Sequence, residues 1–152
     1  MIVQTYQSQN LKSEQLMASP NAPINKIITI QNFETDGKLK LLRGYAGGGF
    51  QVNDEFVNGS IILHPREIHK CPVSHASQLS HELFEPHLNA VKPDMVLIGV
   101  GGNPTHLYQP IRDYFKQRSI GIDIMSTSSA CRTWNVLLSE GRQAVSCLIA
   151  IP

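Results

Sequence analysis

Cys131 lies in STSSACRTWNVLLSEGR, Ser126 to Arg142, a stretch that reads as a helix begun by Ser126 or Thr127 and ended by Gly141. A thiol about one turn into a helix feels the amide dipoles, which lower its pKa and favour the nucleophilic thiolate. Nucleophilic catalysis also needs a base, and His64 and His106, both expected near strand-end loops, are candidates. The alternative is a small buried core thiol, the usual fate of free cysteine. Arg132 and Arg142 flank the same helix and suit a clamp on a carboxylate or phosphate, although surface pairing, for instance with Glu140, is the more common use of such arginines. Asn135, one turn after Cys131, serves either a ligand or a buried backbone group.

A second candidate is VLIGVGGNPTHL, Val96 to Leu107, where an apolar run ends in glycines. Gly99 and Gly101 fill two places of the dinucleotide fingerprint G-x-G-x-x-G, but Pro104 holds the third, where the fold needs an absent side chain. Asp123 stands about twenty residues on, near the place of a ribose-binding acid. An acid within the alternating strand GIDIM equally faces solvent or pairs with a lysine or arginine. With no phosphate-loop lysine, the expectation is a strand end and tight loop to which Gly101 and Gly102 lend conformational freedom, and no NAD or ATP site. The loop amides remain open to some other small anion.

Six histidines invite a metal reading, above all His75, His81 and His87 at intervals of six. Six helical steps of about 100° rotate a side chain by roughly 240°, so successive members leave the shared face. There is no H-E-x-x-H and no compact Cys/His spacing, so neither a metal nor another cofactor is expected.

The elements that must position these residues follow from periodicity. NKIITIQNF and KLKLLRGYAGGGF read as strands either side of an Asp36-Gly37 turn, and SIILHP, Ser60 to Pro65, as a further strand. Ser74 to Val91 supports helical turns before Pro86 and more after it, since an interior proline kinks or ends a helix. From Met95 the order is strand, helix (Gln109 to Gln117), strand (IGIDIM), helix and strand (AVSCLIAI). Such β-α-β-α-β alternation implies parallel strands joined by right-handed crossovers, with ligands gathering beyond the strand ends near Gly101, Gly102, Ser126 and Thr127. Ala130, Trp134, Leu137 and Leu138 form one apolar stripe of the last helix.

At 152 residues and 41% hydrophobic, the chain suits one domain, and a net charge of +1 gives no electrostatic case for nucleic acid. Its apolar runs are far shorter than the roughly 20 residues that span a bilayer, so no membrane insertion is expected. Three widely spaced cysteines suggest neither a disulfide framework nor a zinc ribbon and favour a reducing compartment. The polar residues 1–24 are expected to be a mobile tail without a targeting signal, with Met17 an alternative start, and the compartment by elimination is the cytoplasm.

The segments GGGF, GSIILHP, VLIGVGG and MSTSSACRTWNVLLSEGRQAV resemble the small domain shared by uncharacterised prokaryotic proteins, the mitochondrial complex I assembly factor three and an adipogenesis-associated Mth-like relative. The likeness runs from about Ile27 to the end, so a domain over residues 25–152 is expected. It implies a single-domain, three-layer β/α fold with a mixed central sheet, a β-rich N-terminal half and the β-α-β-α-β C-terminal half. The positions that match its signature are Gly99, Gly101, Thr127, Ala130, Cys131, Asn135, Glu140 and Arg142. Val100 stands where many relatives have threonine, and Cys71-Pro72 where an aromatic residue is common. The resemblance implies no catalytic residue. The leading expectation is a non-catalytic accessory protein that binds another protein during respiratory-complex assembly. The alternative is a small-molecule binder or enzyme using the Gly101 loop and the Cys131 helix start. The candidate ligand or partner site comprises Gly99, Gly101, Gly102, Thr127, Cys131, Arg132, Asn135 and Arg142.

Overall fold

Residues at positive φ cut the first half of the chain into short strands. Gly47 and Gly48, at φ 63° and 81°, make the two-residue turn between β1 (Leu42–Ala46) and β2 (Gly49–Val52). Two left-handed residues match the twist of a tight hairpin, which is why glycines occupy both places. Asn53, at φ 51°, starts the next two-residue turn, into β3 (Glu55–Asn58). Pro65 and Arg66 then link β4 (Ile61–His64) to β5 (Glu67–Lys70). The computed structural model describes residues 38–105 and 108–152. The expected tail, the expected strand NKIITIQNF with its Asp36-Gly37 turn, and His106 lie outside them.

Two short 3-10 turns, Ala76–Gln78 and His81–Leu83, precede α1 (Glu85–Val91). Pro86 sits in the first turn of α1, where its missing N–H has no intrahelical acceptor to lose. It therefore opens the helix, whereas the sequence reading had it kink or end one. The remaining elements are β6 (Met95–Gly99), α2 (Gln109–Gln117), β7 (Gly121–Met125), α3 (Thr127–Ser139) and β8 (Ala144–Leu148).

The strands form a three-stranded sheet, β1-β2-β3, and a five-stranded sheet ordered β5-β4-β8-β6-β7. β6 pairs in parallel with both β7 and β8, while β4 pairs antiparallel with β5 and β8, so the larger sheet is mixed. From β6 the chain steps one way to β7 through α2, then back across β6 to β8 through α3. Right-handed crossovers in opposite directions place the two helices on opposite faces.

Alternation along the strands builds a core on each face. Ile61, Leu63, Leu97, Ala144 and Leu148 pack against α3 and against Leu42, Phe50 and Val52 of the smaller sheet. Ile62, Val96, Ile98, Val145, Cys147 and Ile149 face Phe84, Ile111 and Phe115 on the α1 and α2 side. The result is a three-layer α/β domain. The stripe Ala130, Trp134, Leu137 and Leu138 is buried, with Trp134 fully enclosed and its indole Nε1 donating to the Lys40 carbonyl at 2.8 Å.

Candidate functional site

Beyond the carboxyl ends of β6 and β7, the loops lead to helices on opposite faces, the arrangement that opens a ligand crevice in many α/β sheets. Here the protein's own hydrogen bonds engage the groups at the strand ends. The Thr127 hydroxyl accepts from the Gly101 amide at 2.8 Å and donates to the Ile149 carbonyl at 2.7 Å. The Thr127 amide donates to the Gly101 carbonyl at 2.8 Å, the Val100 amide to Met125 at 2.9 Å, and the Ile149 amide to Gly99 at 2.9 Å. Three strand ends and the first residue of α3 are thereby tied together, and Thr127 is fully buried.

Each glycine here answers a different demand. A Cβ on Gly99 would lie 2.9 Å from the Thr127 Cα and 3.0 Å from the Ala130 Cβ, so its absence lets α3 pack directly on β6. Gly101, at φ 90°, supplies a left-handed turn. Gly102 does not share that conformation, so the freedom expected of both glycines is required at Gly101 alone. Asp123 is exposed on β7, at the edge of the sheet.

Local chemistry fixes both ends of α3. The Ser126 side chain accepts from the Ser129 amide at 3.3 Å as the N-cap. Gly141, at φ 73°, ends the helix in a Schellman arrangement, its amide bonding to Leu138 and that of Arg142 to Leu137. Between them Cys131 is buried, and desolvation pushes its thiol up to about 12, partly opposed by the Arg132 charge. Burial thus outweighs the dipole at the start of the helix, and at neutral pH the group is an inert thiol.

Of the remaining candidates only Arg132 stays at this end of the sheet, beside the Ser126 cap through Ser129. Asn135 faces the smaller sheet, its Oδ1 accepting from the Leu42 amide at 2.9 Å and its Nδ2 donating to the Leu42 carbonyl at 2.8 Å. Among the described residues it takes the place of a neighbouring strand beside β1 and couples β1 to α3. Arg132 is exposed and reaches Ser129 Oγ at 3.3 Å. Arg142 pairs with Asp94 at 3.4 Å and Glu140 at 3.9 Å. Arg132 lies about 10 Å of helical rise from the end of α3 at Ser139, and Arg142 follows the cap beyond it, so the two do not form one clamp.

The structure also assembles groups that sequence spacing kept apart. In the β4–β5 hairpin, Ile62 pairs with His69 and His64 with Glu67, which places all four on one face. Ile62 identifies that face as the α1 side. His87 on α1 meets it there, its Nδ1 2.8 Å from His64 Nε2. The ring centroids are 4.4 Å apart for His64 and His69, and 5.0 Å for each of these with His87. Glu67 Oε1 lies 3.0 Å from His69 Nε2 and 3.5 Å from His64 Nδ1. Burial, followed by the neighbouring His69 and His87, pushes His64 down to about 4 against the pull of Glu67; burial and His69 also lower His87. The triad that sequence spacing suggested, His75, His81 and His87, shares only one member with this cluster. Taking Pro65-Arg66 as a two-residue turn is the signal that would have placed His64, Glu67 and His69 together.

Two of the three cysteines, widely spaced in sequence, also meet. Cys71 and Cys147 are buried free thiols with their sulfurs 3.8 Å apart. Their shared hydrogen bond lowers Cys71 and raises Cys147, the latter raised further by full burial.

A mixed five-stranded sheet covered on both faces and sealed at its crossover by a buried threonine defines a small α/β domain. Residues 42–149 match the family described as a protein of unknown function (DUF498/DUF598), and the chain belongs to that family. It is 32% identical over 127 residues to the Drosophila melanogaster protein named NADH dehydrogenase (ubiquinone) 1 alpha subcomplex assembly factor 3. The match covers 80% of this chain and 64% of the fly protein, so the chain spans less than two thirds of that relative's length. A solved structure from Xanthomonas campestris is 31% identical, with a TM-score of 0.66 over 78% of this chain and 90% of its own. A Mth938-like domain from Bordetella pertussis, 20% identical, shares the fold with a TM-score of 0.63 over 80% of this chain and 91% of its own. These are the relatives to which the GSIILHP, VLIGVGG and MSTSSACRTWNVLLSEGRQAV blocks pointed.

Proposed function

We propose that this chain is a non-catalytic accessory protein that binds a protein client during assembly of a respiratory NADH dehydrogenase. The observation that carries the proposal is the 32% identity, over 80% of the chain, to a protein named as an assembly factor of that complex. Two features of the site support a role without chemistry. The amides of Val100, Gly101 and Thr127 are spent inside the fold, and the Cys131 thiol is held protonated by burial. Among the described residues, no helix is long and apolar enough to cross a membrane. The proposal includes a cytoplasmic location, which the three free thiols support. No role on nucleic acid is included, in keeping with the net charge of +1.

The test joins two measurements in cells that natively make the protein. The tagged full chain is recovered and its co-purifying proteins identified by mass spectrometry, and the mature NADH dehydrogenase is quantified on native gels after deletion of the gene. The proposal expects subunits of that complex in the pull-down and less mature complex in the deletion strain. Unchanged complex together with no such subunits overturns it.

A further inference from the structure

We propose that His64, His69 and His87 form a binding site for a divalent transition-metal ion of the Zn2+ class. One ring nitrogen from each residue can be chosen so that all three lie within 4.8 Å of one another. The three come from β4, β5 and α1, so hairpin register and helix packing create the cluster. Ligands of tetrahedral zinc lie about 2.0–2.1 Å from the ion, hence about 3.4 Å from one another. The 2.8 Å contact between His64 Nε2 and His87 Nδ1 is shorter than this edge, and the 4.8 Å limit is longer. Side-chain rotations of about 1 Å bring both to the zinc value, with an ion replacing the hydrogen bond between the two rings.

The surroundings favour this use. His64 is buried and anchors the cluster, while His69 is 39% exposed and leaves a path for the ion. The His64 nitrogen facing Glu67 is the one turned away from His87, so the carboxylate is placed to hold the non-ligating side of that ring. Carboxylates commonly orient metal-binding histidines in this way. Three imidazoles suit zinc, copper, nickel or cobalt rather than magnesium or calcium, whose ligands are oxygens. A fourth coordination position remains for water. A bound ion would fasten α1 to the β4–β5 hairpin.

The experiment uses the metal-free, tag-free full chain titrated with ZnCl2 by calorimetry, with MgCl2 as the negative control. Expected are one saturable Zn2+ per chain, a raised melting temperature and no response to Mg2+. His69→Gln and His87→Gln should each weaken binding by at least about tenfold and together abolish it, while His75→Gln and His81→Gln leave it unchanged. Glu67→Gln should weaken it by about tenfold, the lower end of the range for an orienting partner. Circular dichroism checks that the variants fold. Should the double variant not fold, Co2+ bound to the wild-type chain decides: intense visible bands of a four-coordinate ion support the site, and the weak spectrum of a six-coordinate ion overturns it. Absence of saturable Zn2+ binding, or binding unchanged in a folded double variant, also overturns it.

Discussion

Thr127→Val replaces a hydroxyl by a methyl group of similar size, so shape is kept while two buried hydrogen bonds are lost. The change strands the Ile149 carbonyl, on a residue only 3% exposed, and the Gly101 amide, which is half-buried. A buried polar group left unpaired costs about 1–3 kcal/mol. With the carbonyl counted in full and the amide partly rescued by water, the loss is about 2–4 kcal/mol. With a urea slope of about 2 kcal/mol per molar, the middle of the range for small domains, the midpoint should fall by about 1–2 M. Thr127→Ser keeps both bonds and deletes one methyl group, which costs about 1 kcal/mol. A Thr127→Val protein as stable as wild type, or a Thr127→Ser protein destabilised as much, would refute the view that this hydroxyl seals the sheet.

Other consequences follow from burial. Trp134→Ala should cost about 3–5 kcal/mol in urea unfolding through the cavity it leaves, and unchanged stability would show that the stripe is not core. The Ser146 hydroxyl is buried in β8 without a hydrogen-bond partner among the described residues, so Ser146→Ala should raise stability by about 1 kcal/mol; a lower melting temperature contradicts this. Cys131 stays protonated in the folded state up to about 12, while the unfolded chain releases that proton near the ordinary value of 9.0. Its contribution is fully present below pH 9 and is lost as pH rises from there towards 12, because the unfolded state then binds fewer protons. Stability measured between about pH 8 and 10 should therefore fall more steeply for wild type than for Cys131→Ala, and parallel curves would count against a buried thiol.

Patterns carried by one segment were legible in the sequence; relationships between segments were not. The β-α-β-α-β order and the α3 stripe follow from local periodicity, and the three parallel strands lie side by side as that order implies. Pro86 was misread because the rule for interior prolines does not say where a helix begins, and the 3-10 turns that end at Leu83 move the start to Glu85. Gly99 and Gly101 stand out in sequence, but their tasks depend on how closely α3 approaches β6, which no spacing reports. The histidine cluster was hidden for a similar reason. Its members are separated by turns of the chain, and only the register that pairs His64 with Glu67 and Ile62 with His69 turns them towards α1.

The amides of Val100, Gly101 and Thr127 at the ends of β6 and β7 are engaged inside the fold, which leaves a nucleotide phosphate few donors there. Calorimetric titration of the full chain with NAD, NADP, ATP and GTP measures whether any bind. No saturable heat is expected at micromolar concentrations, because the Gly101 amide and the Thr127 hydroxyl already have partners at 2.8 and 2.7 Å. A tight isotherm that disappears in Gly101→Val would contradict it and move the function from client binding to ligand binding.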